Sequence, residues 1–202
     1  MKRASVIIPI ILIPILLMTL TSFQVRDPQS GKEAEKLTKL EAFLAKKGIL
    51  VIKEFYDLGE VSGEYGSKVR VDAIIVYEPG KETQRIKGLR IEVFDGERSQ
   101  ASFLDIDEAE SLSKALQYMI DLAKRWKKAS RKYTEVIFST KGGFKIGFYQ
   151  SGNYQTSFVS SGYVAEISCF FKEWANAMDN PIVKLEFIKD MVDGGLKRLS
   201  EK

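Results

Sequence analysis

The sequence predicts an α+β fold made by internal duplication: antiparallel strands followed by one long helix, twice over, with further helices at both ends. Three observations lead there. Strict apolar–polar alternation occurs in both halves, most clearly where Val69, Val71, Ala73 and Ile75 interleave with Lys68, Arg70 and Asp72. Apolar stripes at helical spacing follow each group of strands, and the chain matches itself when displaced along its own length.

Residues 1–22 stand apart from this pattern. Met1-Lys2-Arg3 precede an uncharged apolar run from Val6 to Leu20, the composition of a secretory signal core. Such a run is short for a membrane span of about 20 residues, and Pro9 and Pro14 would kink a helix there. Charge before the run places the N-terminus on the cytoplasmic side and the body outside, in the periplasm or the extracellular space. Thr19-Leu20-Thr21 and Leu20-Thr21-Ser22 are poor cleavage sites, so both a released protein and one anchored by this segment are expected forms. The lone cysteine, Cys169, is far from the run and excludes a lipidated cysteine at its end.

A polar linker, 23–31, leads into a domain expected over 32–202. Ser30 and Glu33 have capping-box spacing, and Ala34, Leu37, Leu40 and Leu44 recur as a helical stripe up to Gly48. Strand-like runs follow at 49–58, 67–77 and 86–94. Asp105 and Glu108 signal the start of a helix whose Ala109, Leu112, Leu116, Met119, Ala123 and Trp126 share one stripe. Strands resume at 134–140, 144–150 and 154–160, and Val164, Ile167, Phe171, Trp174 and Met178 then read as another helical stripe. Asn180-Pro181 opens a last helix, 181–200, carrying Ile182, Leu185, Ile188, Val192 and Leu199; Gly194-Gly195 would weaken it by roughly 1 kcal/mol each.

A displacement of 55 residues sets Gly88-Leu89-Arg90-Ile91 on Gly143-Phe144-Lys145-Ile146, Gln100 on Gln155, and Ser102-Phe103-Leu104 on Ser157-Phe158-Val159. In the same register Ala109, Leu112, Leu116, Met119 and Ala123 fall on Val164, Ile167, Phe171, Trp174 and Met178. Two similar halves are therefore expected, about 49–128 and 133–178. In its order of elements over residues 49–178, strands and then one helix, twice, the chain resembles the Whirly and Pur-alpha single-stranded-DNA-binding architectures. The resemblance covers element order and no residue signature, and it implies single-stranded nucleic acid as a ligand.

Composition argues against that ligand. Without Lys2 and Arg3 the body carries 29 basic and 27 acidic residues, nearly neutral where a basic footprint is usual. The chain has no histidine, which removes the Ser-His-Asp triad and His-containing zinc sites. Nor does it contain a GxxxxGK[ST] phosphate loop. Asp105, Asp107, Glu108 and Glu110 are the one carboxylate cluster on which a hydrolase would depend, but acids in a first helical turn complement the helix dipole. The basic run Lys124, Arg125, Lys127, Lys128, Arg131 and Lys132 sits at that helix's other end, where the dipole again favours it. At 100° per residue Cys169 lies opposite the Val164–Met178 stripe, facing outward or covered by the last helix.

No catalytic, cofactor or metal residues are expected. If the strands alternate as drawn, Leu89, Ile91, Val93, Phe144, Ile146 and Phe148 face the helices, while Arg90, Glu92, Phe94, Lys145, Gly147 and Tyr149 share the opposite face. Of these, Arg90, Phe94, Lys145 and Tyr149 are the candidate ligand-binding residues, since cations interleaved with aromatics suit stacking on a partner. The expectation is an exported, non-enzymatic module that binds a protein or another macromolecule. Single-stranded nucleic-acid binding and carboxylate-based hydrolysis are the alternatives.

Overall fold

The computed structural model describes residues 37–162, 166–172 and 180–201. The signal segment 1–22, the linker 23–31 and the Ser30–Glu33 cap lie outside them. A short helix, α1 (Lys39–Leu44), comes first; Thr38 Oγ1 accepts from Glu41 N at 3.1 Å and the Glu41 carboxylate accepts from Thr38 N at 2.9 Å, a complete capping box. Among the described residues the capping-box spacing therefore occurs at Thr38 and Glu41.

Two four-stranded antiparallel meanders follow, each ending in a long helix. The first comprises β1 (Ile52–Ser62), β2 (Lys68–Tyr77), β3 (Ile86–Asp95) and β4 (Arg98–Asp105), and runs into α2 (Ile106–Trp126). The second comprises β5 (Arg131–Ser139), β6 (Phe144–Gly152), β7 (Tyr154–Ser161) and β8 (Ile167–Lys172), and leads to α3 (Pro181–Ser200). The fold is α+β with duplicated units, as the sequence predicts.

The boundaries of the second unit differ from the expectation. Ile167 and Phe171 belong to a strand, paired with β7 from Thr156↔Lys172 to Ser161↔Ile167, and the helix of the second unit is α3. Val164, Trp174 and Met178 lie outside the described residues. The 55-residue displacement therefore set β3 and β4 on β6 and β7, one strand out of step with the meanders, in which β3 corresponds to β7. Its apolar coincidences arise because Ile167 and Phe171 are four apart, a spacing that an even-numbered strand period and a helical turn both place on one face. The pairing of Gln100 with Gln155 fails for the same reason: Gln100 is exposed on β4, whereas Gln155 is buried.

Strand alternation places the interior as expected. Leu89, Ile91, Val93, Phe144, Ile146 and Phe148 are all buried, in one cluster with the apolar stripes of α2 and α3. Helix α3 packs on β1, β2 and β3 as well as on β7 and β8, so the second unit's helix closes the first unit's sheet. Gly195 permits the approach. A β-carbon there would stand 2.6 Å from Leu89 Cδ2 and 2.7 Å from Leu58 Cδ1, so the residue read as a weak point in the helix is a point of contact. On the other face of the first sheet, Leu40 and Phe43 of α1 cover Ile74 and Val76 in a second small cluster.

Buried polar groups tie the units together. Gln150 Nε2 donates to the carbonyls of Trp126, Ala129 and Gly152 at 3.3, 2.8 and 2.9 Å, and Gln155 Nε2 donates to Ala123 O and Gln150 Oε1 at 2.8 and 3.0 Å. The β6–β7 hairpin thereby adds side-chain donors at the C-terminal end of α2, where Ala123 O also accepts from Lys127 N and Trp126 O from Ala129 N. Ser157 Oγ donates to Pro181 O at 3.0 Å, fixing the start of α3, where Asn180 Oδ1 accepts from Ile182 N.

Cys169 faces the core of a strand, not solvent. It is fully buried, it accepts a hydrogen bond from Ser67 Oγ at 3.2 Å, and burial pushes its thiol up to about 11. A thiol reagent at pH 8 is therefore expected to leave Cys169 unmodified in the native protein and to modify it fully in denaturant. Rapid native labelling, followed by mass spectrometry, would return this segment to an outward-facing arrangement.

Candidate binding faces

The four candidate residues point away from the core, as alternation requires, but the structure distributes them over two sheets. Arg90 and Phe94 lie on the outer face of the first sheet; Lys145 and Tyr149 lie on that of the second. They do not form one surface. The sequence assigns sidedness within a strand, and the assignment of strands to sheets is a separate, long-range matter.

On the first sheet Arg90 is committed to its neighbours. Its guanidinium reaches Asp72 at 2.9 Å and Glu92 at 2.5 Å, and stands 5.7 Å from the centroid of Phe55. Glu60 holds Lys68 at 3.0 Å and Arg70 at 3.5 Å, and Lys68 sits 5.1 Å above the Phe94 ring. The ordinary ionisation of Glu60 is shifted downward, first by the Lys68 hydrogen bond. Cations and acids alternate across this face, so their fields cancel within it. The cations are occupied with their own sheet, and Phe94 is roofed.

The second sheet presents a different outer face. In register across its four strands run Glu135, Tyr149, Thr156 and Lys172; then Ile137, Gly147, Phe158 and Phe170; then Ser139, Lys145, Ser160 and Ser168. The middle row is apolar throughout, with Ile137 49% and Phe170 42% exposed. Phe158 leans towards Gly147, its Cζ only 3.1 Å from where a β-carbon would stand, and its ring lies 6.2 Å from that of Phe170. Absence of a side chain at Gly147 thus lets an aromatic ring lie along the sheet instead of standing off it. Tyr133, 61% exposed, stacks at 5.5 Å on Tyr149.

Charges on this face are few and lie towards its borders. Lys145 pairs with Glu166 at 3.2 Å, and the Ser160 hydroxyl also donates to Glu166; the Ser160 bond, then the lysine, hold that carboxyl below its ordinary value. Tyr133 donates to Glu135, which raises the Tyr133 phenol. Lys172 pairs with Glu64 at 2.9 Å, 5.7 Å from the Tyr65 ring.

Of the residues on this face, the sequence singles out Lys145 and Tyr149 and does not mark Ile137, Phe158 or Phe170. The alternation of Tyr133, Glu135 and Ile137 with Thr134, Val136 and Phe138 was legible, yet both sets carry apolar residues, so neither is marked as outward. Phe170 was hidden because its segment reads as helix.

The carboxylates of the α2 start serve backbone groups. Asp105 does not cap its own helix; its two oxygens accept from Lys39 N at 2.8 Å and Leu40 N at 3.2 Å, capping α1 instead. Glu108 Oε1 accepts from Lys141 N at 2.7 Å. Burial raises the nearby Glu41 carboxyl against its bonds from Thr38. Asp107 and Glu110 are exposed. In the basic run, Lys124 pairs with Glu186 at 2.6 Å and Arg131 stacks 4.1 Å from the Trp126 ring.

Compared with protein-family models, with curated proteins and with solved structures, the chain matches none.

The two faces are expected to respond differently to mutation. Asp72 is only 6% exposed, so Arg90→Met strands a buried carboxylate and should lower unfolding free energy by about 2–3 kcal/mol. Lys145→Met breaks an exposed pair and should cost about 0–1 kcal/mol. Urea denaturation of the two variants measures both.

Proposed function

We propose that this chain is an exported, non-catalytic binding module that docks a macromolecular partner on the outer face of its second sheet. The observation that carries the reading is the apolar row Ile137, Phe158 and Phe170, exposed at Ile137 and Phe170 and half-buried at Phe158, continued by the stacked Tyr133 and Tyr149. Contiguous exposed apolar surface of this kind marks interaction sites, and aromatic residues are the usual anchors of such contacts. The ion-paired first sheet offers no comparable surface. Export rests on the charged start and uncharged apolar run of residues 1–20. Among the described residues, no helix is long and apolar enough to cross a membrane.

The test is a photo-crosslinking amino acid introduced at Ile137, with Phe55 of the first sheet as the control position, in cells that naturally express the chain. Discrete adducts from 137 and none from 55 are expected. Adducts from 55 alone, or the same adducts from both, would remove the second sheet's privilege.

Single-stranded nucleic acid is the second reading, supported by the six cations between Lys124 and Lys132 next to the exposed Tyr133. It requires affinity for a labelled oligothymidine that falls steeply with salt and with Lys128→Ala or Lys132→Ala. No binding at 150 mM NaCl removes it, and the pairing of Lys124 and the stacking of Arg131 favour that result.

A further inference from the structure

We infer that the partner on this face is a second copy of the chain, packed sheet to sheet about a two-fold axis parallel to the strands. The inference rests on the binding-face reading and names its occupant.

The face is complementary to itself about that axis. A two-fold parallel to the strands keeps each cross-strand row opposite its own counterpart while reversing the strand order, so β5 faces β8 and β6 faces β7. The row Glu135–Tyr149–Thr156–Lys172 then sets Glu135 against Lys172 of the second copy, and Lys172 against that copy's Glu135. Both charges of the row then face an opposite charge across the contact, Lys172 in addition to its own Glu64 at 2.9 Å. In the middle row Ile137 meets Phe170, and the Phe158 ring lies over Gly147 of the second copy, with no charge in the row. The last row brings Ser139 against Ser168 and Lys145 against Ser160, with no like charges opposed.

The in-plane axis perpendicular to the strands does none of this. It would set Glu135 against Ser139, Lys172 against Ser168 and Ile137 against itself, giving neither Glu135 nor Lys172 an opposite charge on the second copy. Charge complementarity fixes register and orientation in just this way, while apolar contact supplies adhesion.

Size is compatible. Strands about 4.8 Å apart, with an outward residue every ~6.8 Å, give roughly 390 Å² of flat sheet over the three rows before side-chain relief, about half the ~800 Å² per partner of an ordinary specific interface and in the range of a small, weak dimer. Aligned sheets pack at about 30° with facing side chains interleaved, a geometry that a nearly flat apolar row accommodates. The contact is face to face and leaves the backbone edges of β5 and β8 and the buried Cys169 out of it, so the association is neither strand addition nor disulfide-linked.

The experiment uses the full chain. Two differently tagged copies are co-expressed, one carrying Ile137→Cys and the other Phe170→Cys, and treated with a short bis-maleimide. Crosslinking is expected between 137 and 170 and not between 137 and 137, because on this axis the two 137 positions stand three strand spacings, roughly 14 Å, apart laterally. In parallel, the detergent-solubilised chain is sized by analytical ultracentrifugation. Glu135→Lys alone should weaken the dimer roughly tenfold or more by opposing like charges, Lys172→Glu alone likewise, and the double variant should restore it.

Equal 137–137 crosslinking, or single variants that the double variant fails to rescue, overturns the proposed axis. A monomer at every concentration overturns self-association altogether. If adducts to another molecule still arise from position 137 in that case, the binding face stands and only its occupant is wrong; if they do not, both readings fall.

Discussion

The structure depends on one packing event, the seating of α3 on the first sheet. Each unit alone is a four-stranded meander with one apolar face. A sheet with a hydrophobic face needs a covering layer, and the helix that follows in sequence is the nearest supply. Here α2 covers parts of both sheets, and α3, which ends the second unit, reaches back to β1, β2 and β3. Gly195 is what lets α3 lie close against Leu58 and Leu89. Both inner faces and both long helices therefore share a single core, and neither half closes its own sheet.

Such a shared core creates polar debts at its seams, and the chain satisfies them with residues from the opposite unit. At the end of α2, Gln150 and Gln155 come from the second sheet to bond the carbonyls of Trp126 and Ala123. Ser102 of β4 and Ser161 of β7 bond at 2.7 Å in the interior. Within the first unit, Asp105 at the end of the sheet caps α1 in place of its own helix. Each of these groups is buried, and a buried polar atom without a partner costs about 1–3 kcal/mol, which makes the inter-unit arrangement specific as well as adhesive.

The outer faces diverge for a related reason. Both units inherit the same period-two alternation, but only the first has α1 to cover part of its outer side, and the remainder is filled with salt-bridged rows. No described element packs over the middle row of the second sheet. There the outward positions carry isoleucine, phenylalanine and tyrosine around a glycine, apolar surface whose unfavourable hydration a docked partner would relieve. The two units present equivalent faces, one lined with ion pairs and the other with an apolar row.

What the sequence determined by itself is local and periodic. Alternation assigned the inward residues of β2, β3 and β6, helical spacing marked the α2 and α3 stripes, Asn180-Pro181 located the start of α3, and the outward direction of Arg90, Phe94, Lys145 and Tyr149 was readable. Tertiary structure decided the rest. Whether Ile167 and Phe171 lie on a strand or a helix is degenerate at a spacing of four, and pairing with β7 breaks the tie. Placing Arg90 and Phe94 on one sheet, and Lys145 and Tyr149 on another, required strand order, which is set by contacts far apart in the chain. So did the role of Asp105: a carboxylate at a helix start reads as that helix's cap until a second helix, 65 residues away, offers its unpaired N–H groups.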